Sequence, residues 1–390
     1  MLIPILAFVT VLLLVTQSIS SDVGVIPDFL HLNNFGRYAS CPFHEINRFE
    51  FSCFIQNQTK VNRIIRNTLG SMVDLKEQLP RLTNQTILFV GDSLVEDQFV
   101  SLACLLWEAD FAIQESDLFF HDNDAQRIKL HENVSHHKNG QAVRFFAVRS
   151  NTYNLEIQYT FSGTLLNLHE TLLGRINNNT IAQEVLYAEW QALIEGRFEP
   201  VVRAPTIIML SAGHHLDRRK YTVKSNPQNS SALVNTTKTI EAPLIDRQLV
   251  ELIFNHVNSE LKKIMRVKNK KFRVIMRSVP PRHYSNGEWN TGGTCNDELP
   301  LSQQNIQSKL RQGDEHYTVP LMLLSILKDC AKRWGVEVLD ILPYAMTRSD
   351  AMVGSTAIGR HGAKSDCSHY CVPGVPDMWN SLLIDQILNH

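Results

Sequence analysis

Thr86-Ile87-Leu88-Phe89-Val90-Gly91-Asp92-Ser93-Leu94 is the stretch from which the fold reads outward. Thr86–Val90 is a short apolar run of strand length, closed by a glycine that permits a tight turn. An apolar pattern of helical spacing then runs from Leu94 to Trp107. Ser93 therefore stands where a strand hands over to a helix. There the hydroxyl is exposed, and backbone N–H groups and the positive end of the helix dipole are available to an anion. The ordinary job for a serine in that place is to cap the helix. The chemical alternative is a nucleophile, which needs a base within hydrogen-bond reach.

The same alternation continues downstream. Val143–Val148 and Leu155–Phe161 read as strands, Ile181–Ile194 as a helix, and Thr206–Leu210 as a buried strand closed by Ser211-Ala212-Gly213. Leu244–Met265 reads as a helix, Phe272–Met276 as a strand, Pro320–Trp334 as a helix, Val336–Ile341 as a strand and Asp377–Leu388 as a helix. Strands alternating with helices predict an α/β fold, a mainly parallel sheet with helices on both faces. In such sheets reactive groups gather at the carboxyl ends of strands. That directs attention to Gly91-Asp92-Ser93, Ser211-Ala212-Gly213 and Arg277-Ser278. No repeat or low-complexity linker divides the chain. The expected organisation is a leader over residues 1–20, a cysteine-bearing segment over 21–84 and one large α/β domain over 85–390.

Several function classes fall away on composition. With 44% hydrophobic and 20% charged residues the chain is globular rather than disordered. Lys+Arg of 38 against Asp+Glu of 39 leaves a net charge of −1, so no global attraction to nucleic acid exists. The densest basic run, Lys262, Lys263, Arg266, Lys268, Lys270 and Lys271, follows an apolar helical stripe and reads as cations at a helix C-terminus. Metal is not expected. Cys367 and Cys371 lack a second compact pair, no His-Glu-x-x-His occurs, and the adjacent pairs His136-His137 and His214-His215 cannot share a helix face. A glycosidase would need two carboxylates facing one bond, and no such pair stands out.

The compartment reads as secretory. Leu2 to Val15 is apolar except for Pro4 and Thr10, and Ser18 and Ser20 offer small residues before a cleavage point. The competing reading is an uncleaved anchor, although the run falls short of the roughly 20 residues a span needs. Six Asn-x-Ser/Thr sequons, at Asn57, Asn84, Asn133, Asn178, Asn229 and Asn235, suit a lumenal protein. So do seven cysteines, most of which should pair in an oxidising compartment. Seven is odd, and Cys330, within an apolar helical pattern, is expected to be a buried free thiol.

Near the C-terminus, Asp366-Cys367-Ser368-His369 supplies a base and its partner. Three residues apart on a turn or short helix, the carboxylate and imidazole lie on one face, and the carboxylate can hold the imidazole's tautomer. Gly-Asp-Ser early and Asp-x-x-His late together resemble the SGNH/GDSL hydrolase superfamily. The resemblance narrows through Asp366 to Asn380, through Met276 to Tyr284, and through Trp289-Asn290-Thr291-Gly292-Gly293-Thr294-Cys295. Val90 to Leu105 and the Arg348, Asp350, Ala351 block add to it. These blocks resemble the trichome-birefringence-like, or PC-esterase, family, from about Cys41 to the C-terminus.

That resemblance implies a three-layer SGNH-like domain and O-acetylation of polysaccharides in the secretory pathway, in the Golgi lumen or after secretion. It implies Ser93 as nucleophile, His369 as base and Asp366 as its partner. It also implies disulfides Cys41–Cys104, Cys53–Cys371 and Cys295–Cys367, leaving Cys330 over. No bound cofactor is implied. The acetyl donor, acetyl-CoA or a lumenal acetyl carrier, would be a co-substrate, supplied through a membrane transporter. The acceptor would be a polysaccharide or other glycan. The chain departs from the plant pattern with Glu96-Asp97 in place of Arg-Asn. It carries Ser211-Ala212-Gly213-His214-His215-Leu216 in place of Asn-Thr-Gly-His-Trp-Trp.

Around the triad, the Ser93 N–H and Gly213 are candidates for an oxyanion site, with Ser211 and His214 beside them as substrate contacts. Arg277 reads as a clamp on a substrate oxygen or as an ion pair at a strand end. Trp289 reads as a sugar platform or as loop packing. For His283 a structural hydrogen bond is as good an explanation as a substrate contact. Three functions remain open: an O-acetyltransferase, a GDSL-type acetylesterase if water takes the acetyl group, and a non-catalytic glycan-binding protein.

Overall fold

The computed structural model describes residues 41–43, 53, 60–61, 63–64, 75–113, 118–121, 127–128, 145–162, 165, 203–211, 247–269, 271–287, 291–295, 297–354 and 365–389. All of them fall within one compact unit, Arg37–His390. Strand β1 (Thr86–Gly91) lies inside an eight-stranded sheet of order β3-β2-β4-β5-β1-β6-β7-β8. Its neighbours are β5 (Leu155–Phe161) and β6 (Ile207–Ser211), both parallel to it; β7 (Arg273–Arg277) and β8 (Glu337–Leu339) continue the parallel run. The other edge is antiparallel: β4 (Phe145–Ser150) pairs with β5, β2 (Leu118–His121) with β4, and β3 (Arg127–Ile128) with β2. The sequence reading places β4 two residues early and does not anticipate β2 and β3.

Both faces of the sheet are covered, which is why β1 is apolar from Ile87 to Val90 and buried at all of its positions. Leu88 and Val90 join Ile208, Leu210 and Met276 on one face, and pack with Val250, Phe254 and Val257 of α2 (Arg247–Lys268) and Leu323, Ile326 and Leu327 of α4 (Glu315–Trp334). Lys262, Lys263 and Arg266 of α2 are exposed, as cations on the solvent side of an amphipathic helix. On the other face Phe99 of α1 (Ser93–Ala109) meets Phe89 edge-on and stacks on Tyr159 and Phe146. Helix α5 (Val375–Asn389) lies against α1, so α1 is buried from Leu94 through Cys104. The result is a three-layer α/β/α arrangement with Ser93 at the carboxyl end of a central strand.

Two helices depart most from the sequence reading. Helix α4 begins at Glu315, because Asp314 caps it by accepting from the His316 N–H, and Pro320 sits inside it. A proline lacks the N–H of one intrahelical bond but does not prevent a helix capped upstream of it. Between β7 and α4, α3 (Gln303–Arg311) starts at the Ser302 cap. The predicted helix over 181–194 lies outside the described residues. Among the described residues no helix is long and apolar enough to cross a membrane.

Three disulfides are present: Cys41–Cys104, Cys53–Cys371 and Cys295–Cys367. Cys330 is a free buried thiol in the core of α4, with Arg333 Nη2 3.1 Å from its sulfur. The described part of the cysteine-bearing segment packs into the same unit. Cys41, Phe43, Cys53, Val61 and Ile64 are all buried, and Phe43 meets Phe99 edge-on.

Candidate active site

At the end of β1 the cap of α1 is Asp92. Its carboxylate accepts from the Leu94 N–H at 3.0 Å, and its carbonyl accepts from the N–H groups of Val95 and Glu96. Ser93 is thereby relieved of capping and becomes the first helical residue, whose N–H has no intrahelical acceptor. Gly91 is dictated by closeness. A Cβ there would lie 2.3 Å from Val95 Cγ2 and 2.5 Å from the Ser211 carbonyl oxygen, so only glycine lets α1 turn this tightly over β6.

Ser93 Oγ lies 2.7 Å from His369 Nε2, across 276 residues of sequence. His369 Nδ1 lies 2.8 Å from Asp366 Oδ2, which fixes the proton on Nδ1 and leaves Nε2 to accept from the serine. Asp366 Oδ1 accepts from the N–H groups of Ser368 and His369 at 3.0 and 3.1 Å. Burial works against the charged forms of both members of this pair, and the pairing outweighs it. The charge and hydrogen bond of His369, with the two backbone donors, hold the Asp366 carboxyl below the usual carboxylate range. The charge and hydrogen bond of Asp366, with lesser contributions from Asp97 and Asp92, raise the imidazole of His369 above its ordinary value. The side chains of His369 and Asp366 remain 15% and 19% exposed, so the site is reachable.

The segment carrying Asp366 and His369 is a strand, where the sequence reading expects a turn or short helix. β10 (Asp366–Tyr370) pairs antiparallel with β9 (Met352–Gly354). Asp366 faces Gly354 and Tyr370 faces Met352, so four steps along β10 match two along β9. A regular strand would send residues three apart to opposite faces. The extra residues form a bulge, which with the Asp366 carboxylate folded onto two backbone N–H groups turns Asp366 and His369 together.

The surroundings pin this bulge from several sides. Cys367 and Cys371, which flank His369, are both in disulfides. The His283 N–H donates to the Cys367 carbonyl at 2.9 Å, and the Tyr370 hydroxyl donates to the Pro281 carbonyl at 3.1 Å. The Cys371 N–H donates to Ala351 O at 2.8 Å, beside the buried Arg348–Asp350 pair. On the α1 side, Asp377 Oδ1 accepts from Ser101 Oγ at 2.6 Å while its other oxygen accepts from the Gly374 N–H. Asn380 Nδ2 donates to the Gln98 carbonyl and to Ser101 Oγ. Of these, His283, Arg348, Asp350, Cys367 and Cys371 are singled out by the sequence reading, whereas Ser101, Asp377 and Asn380 are given no role by it. The signal for them was the polar run Glu96-Asp97-Gln98, all three fully buried, in an otherwise apolar helix.

The remaining candidates sort as follows. Arg277 is internal: it is 2% exposed, donates from Nη1 to Leu94 O and Gln98 Oε1, and lies over the Trp379 ring at 4.8 Å. Burial lowers its pKa to about 10, against the pull of Asp92, Asp97 and Tyr370, so it stays charged. His283 is likewise internal at 3% exposure. Its Nε2–H donates to Ala345 O and its Nδ1 accepts from the Tyr317 hydroxyl. Burial, only partly offset by the Ala345 bond, pushes its pKa down to about 3, so it is neutral and structural. Ser211 closes β6 opposite Gly91 and is buried. Gly213, His214 and Trp289 lie outside the described residues, as do Asn57, Asn133, Asn178, Asn229 and Asn235. Asn84 is exposed at the turn into β1. Among the described residues no group of three or more His, Cys, Asp or Glu side chains is arranged to hold a metal ion.

A family model described as PC-Esterase, the GDSL/SGNH-like acyl-esterase family found in Pmr5 and Cas1p, matches residues 71–386. The chain belongs to the PC-esterase family. Among PC-esterase relatives, Protein trichome birefringence-like 14 of Arabidopsis thaliana is 25% identical over 79% of this chain and 71% of its own length. Protein trichome birefringence-like 6 of the same plant is 24% identical over 90% of this chain and 67% of its own length. Xyloglucan O-acetyltransferase 4 of Populus trichocarpa is 24% identical over 80% of this chain and 67% of its own length.

Proposed function

We propose that this protein is an O-acetyltransferase that places acetyl groups on hydroxyls of a polysaccharide through an acetyl-Ser93 intermediate. The observation that carries the reading is the hydrogen-bonded chain Ser93–His369–Asp366 at the amino end of α1. His369 Nε2 takes the Ser93 proton as Oγ attacks the acetyl carbonyl. The oxyanion forms beside the Ser93 N–H at the positive end of the helix. As the tetrahedral species collapses, His369 returns the proton to the departing donor. A sugar hydroxyl then repeats the sequence in reverse, giving its proton to His369 while attacking the acetyl carbonyl, and free Ser93 is restored.

The relatives named xyloglucan O-acetyltransferase support a polysaccharide acceptor. The donor in this reading is acetyl-CoA or another acetyl carrier reaching the lumen through a transporter. The disulfides and sequons support a place in the secretory pathway. A second reading, hydrolysis of an acetyl ester, draws on the acyl-esterase description of the family and on the partial exposure of the triad to water.

The test supplies an activated acetyl donor and a panel of oligosaccharides to the secreted protein, and measures sugar-bound acetyl against free acetate. Acetylated sugar from wild type and none from Ser93→Ala supports the transferase. Ser93-dependent acetate with bare sugars selects the esterase. Equal traces from wild type and Ser93→Ala would overturn both.

A further inference from the structure

We propose that Arg277 is a positioning residue for the Ser93–His369 pair, holding the first turn of α1 and supplying a buried positive charge that offsets Asp92 and Asp97. The proposal rests on the reading of Ser93 as the nucleophile. Arg277 ends β7, in the same sheet as the strand that delivers Ser93. One nitrogen of its guanidinium reaches two points of α1, the carbonyl of Leu94 at 3.2 Å and the side chain of Gln98 at 2.7 Å. Leu94 is the residue next to the nucleophile. The guanidinium face lies over Trp379 of α5, a ring that is itself fully buried and edge-on to Tyr370, the neighbour of His369. Arg277 therefore touches the helix that carries Ser93 and, through one ring, the strand that carries His369.

Its charge has a second consequence. Asp366 Oδ2 lies 2.8 Å from the imidazole, and the buried carboxylates of Asp92, at the cap of α1, and Asp97, within it, act on the ring through space. Arg277 interacts with the same two α1 carboxylates and with Tyr370. Buried carboxylates favour the imidazolium, the form that cannot accept the Ser93 proton. A buried cation among them draws the imidazole back toward its neutral form. Losing that cation must move the pH at which Ser93 becomes reactive upward, whereas losing only a packing contact must not.

The probe is a fluorophosphonate, whose phosphorus bonds to a serine Oγ with loss of fluoride and transfer of the hydroxyl proton to the base. Its rate of reaction with Ser93 as a function of pH reads the Ser–His pair without needing the acceptor. Wild type labels along an acid limb set by His369, and Ser93→Ala does not label at that position. Arg277→Met is expected to move the limb to higher pH by ~0.5–1 unit and to slow labelling at the plateau. Arg277→Lys keeps the charge and loses the planar face that lies over Trp379, so its limb stays at the wild-type position while its plateau rate falls about tenfold or more. Arg277→Gln, neutral and of similar length, replaces the methionine variant if that one does not fold. A neutral variant with the wild-type limb overturns the proposal, and so does a lysine variant whose limb moves as far as the neutral one. Labelling elsewhere than Ser93 would instead overturn the reading of the nucleophile.

Discussion

Asp366 earns its place by what it does to one ring. It accepts the Nδ1 hydrogen bond of His369 and so presents Nε2 to Ser93 as an acceptor, and in the proposed mechanism its charge stabilises the imidazolium formed when Ser93 gives up its proton. The sign of the pH dependence follows. His369 must be neutral to act, and its pKa is raised, so activity should rise with pH along a limb centred above the ordinary ~6.5 of histidine. In Asp366→Asn the limb should move to lower pH, because the group that raised it is gone. The rate should fall by on the order of 10³–10⁴, because the wrong tautomer is favoured. A pH–rate profile of both proteins checks this, and an unshifted limb would contradict it. The meeting of Ser93, His369 and Asp366 was legible in the sequence only from the Gly-Asp-Ser and Asp-x-x-His patterns taken together and from the family resemblance, since either pattern alone has an ordinary structural explanation. The internal roles of Arg277 and His283 were not. Both are polar residues beside a strand end, and only their burial separates a substrate contact from an internal brace.

At the scale of elements, the turn from β1 into α1 and the bulge of β10 must meet to within a hydrogen bond. Gly91 sets the first. Gly91→Ala pushes a methyl group into Val95 and the Ser211 carbonyl, and should cost ~1–3 kcal/mol in denaturant unfolding. Activity should fall further than stability alone explains, because Ser93 moves with the helix. Phe99 anchors the same helix to the sheet through Phe89, Tyr159 and Phe146. Phe99→Ala should cost ~3–5 kcal/mol by the same measurement. The strand-to-helix turn was readable from its apolar run and glycine. The bulge was not, because residue spacing alone does not separate a turn from a strand with extra residues. The sequence reading starts helix α4 at Pro320, whereas the Asp314 cap sets the start at Glu315.

For the whole molecule, the two halves of the site come from opposite ends of the domain, and covalent bonds hold them there. Cys295–Cys367 closes a separation of 72 residues and Cys53–Cys371 one of 318, and the two flank His369. Replacing Cys295 and Cys367 together by alanine should cost ~2–5 kcal/mol of stability. Activity should drop under conditions where the variant is still fully folded by circular dichroism, because the bulge loses one of its clamps. Unchanged turnover in that folded variant would assign the disulfide to stability alone. The parallel part of the sheet was legible because its strands carry short apolar patterns, continuous in β1 and β6 and alternating with Glu156, Gln158 and Thr160 in β5. The antiparallel edge of β2 and β3 was not, because strands of four and two residues carry too little pattern. The central claim is that an acetyl group rests on Ser93 between donor and sugar. Mass spectrometry of the peptide carrying Ser93, after quenching the enzyme with an activated acetyl donor and no acceptor, tests it most directly. The account predicts an acetyl group on Ser93 that disappears when an acceptor sugar is added, and no acetylated peptide from His369→Ala. Sugar acetylation that proceeds in Ser93→Ala, with Ser93 of the wild type never modified, would contradict it.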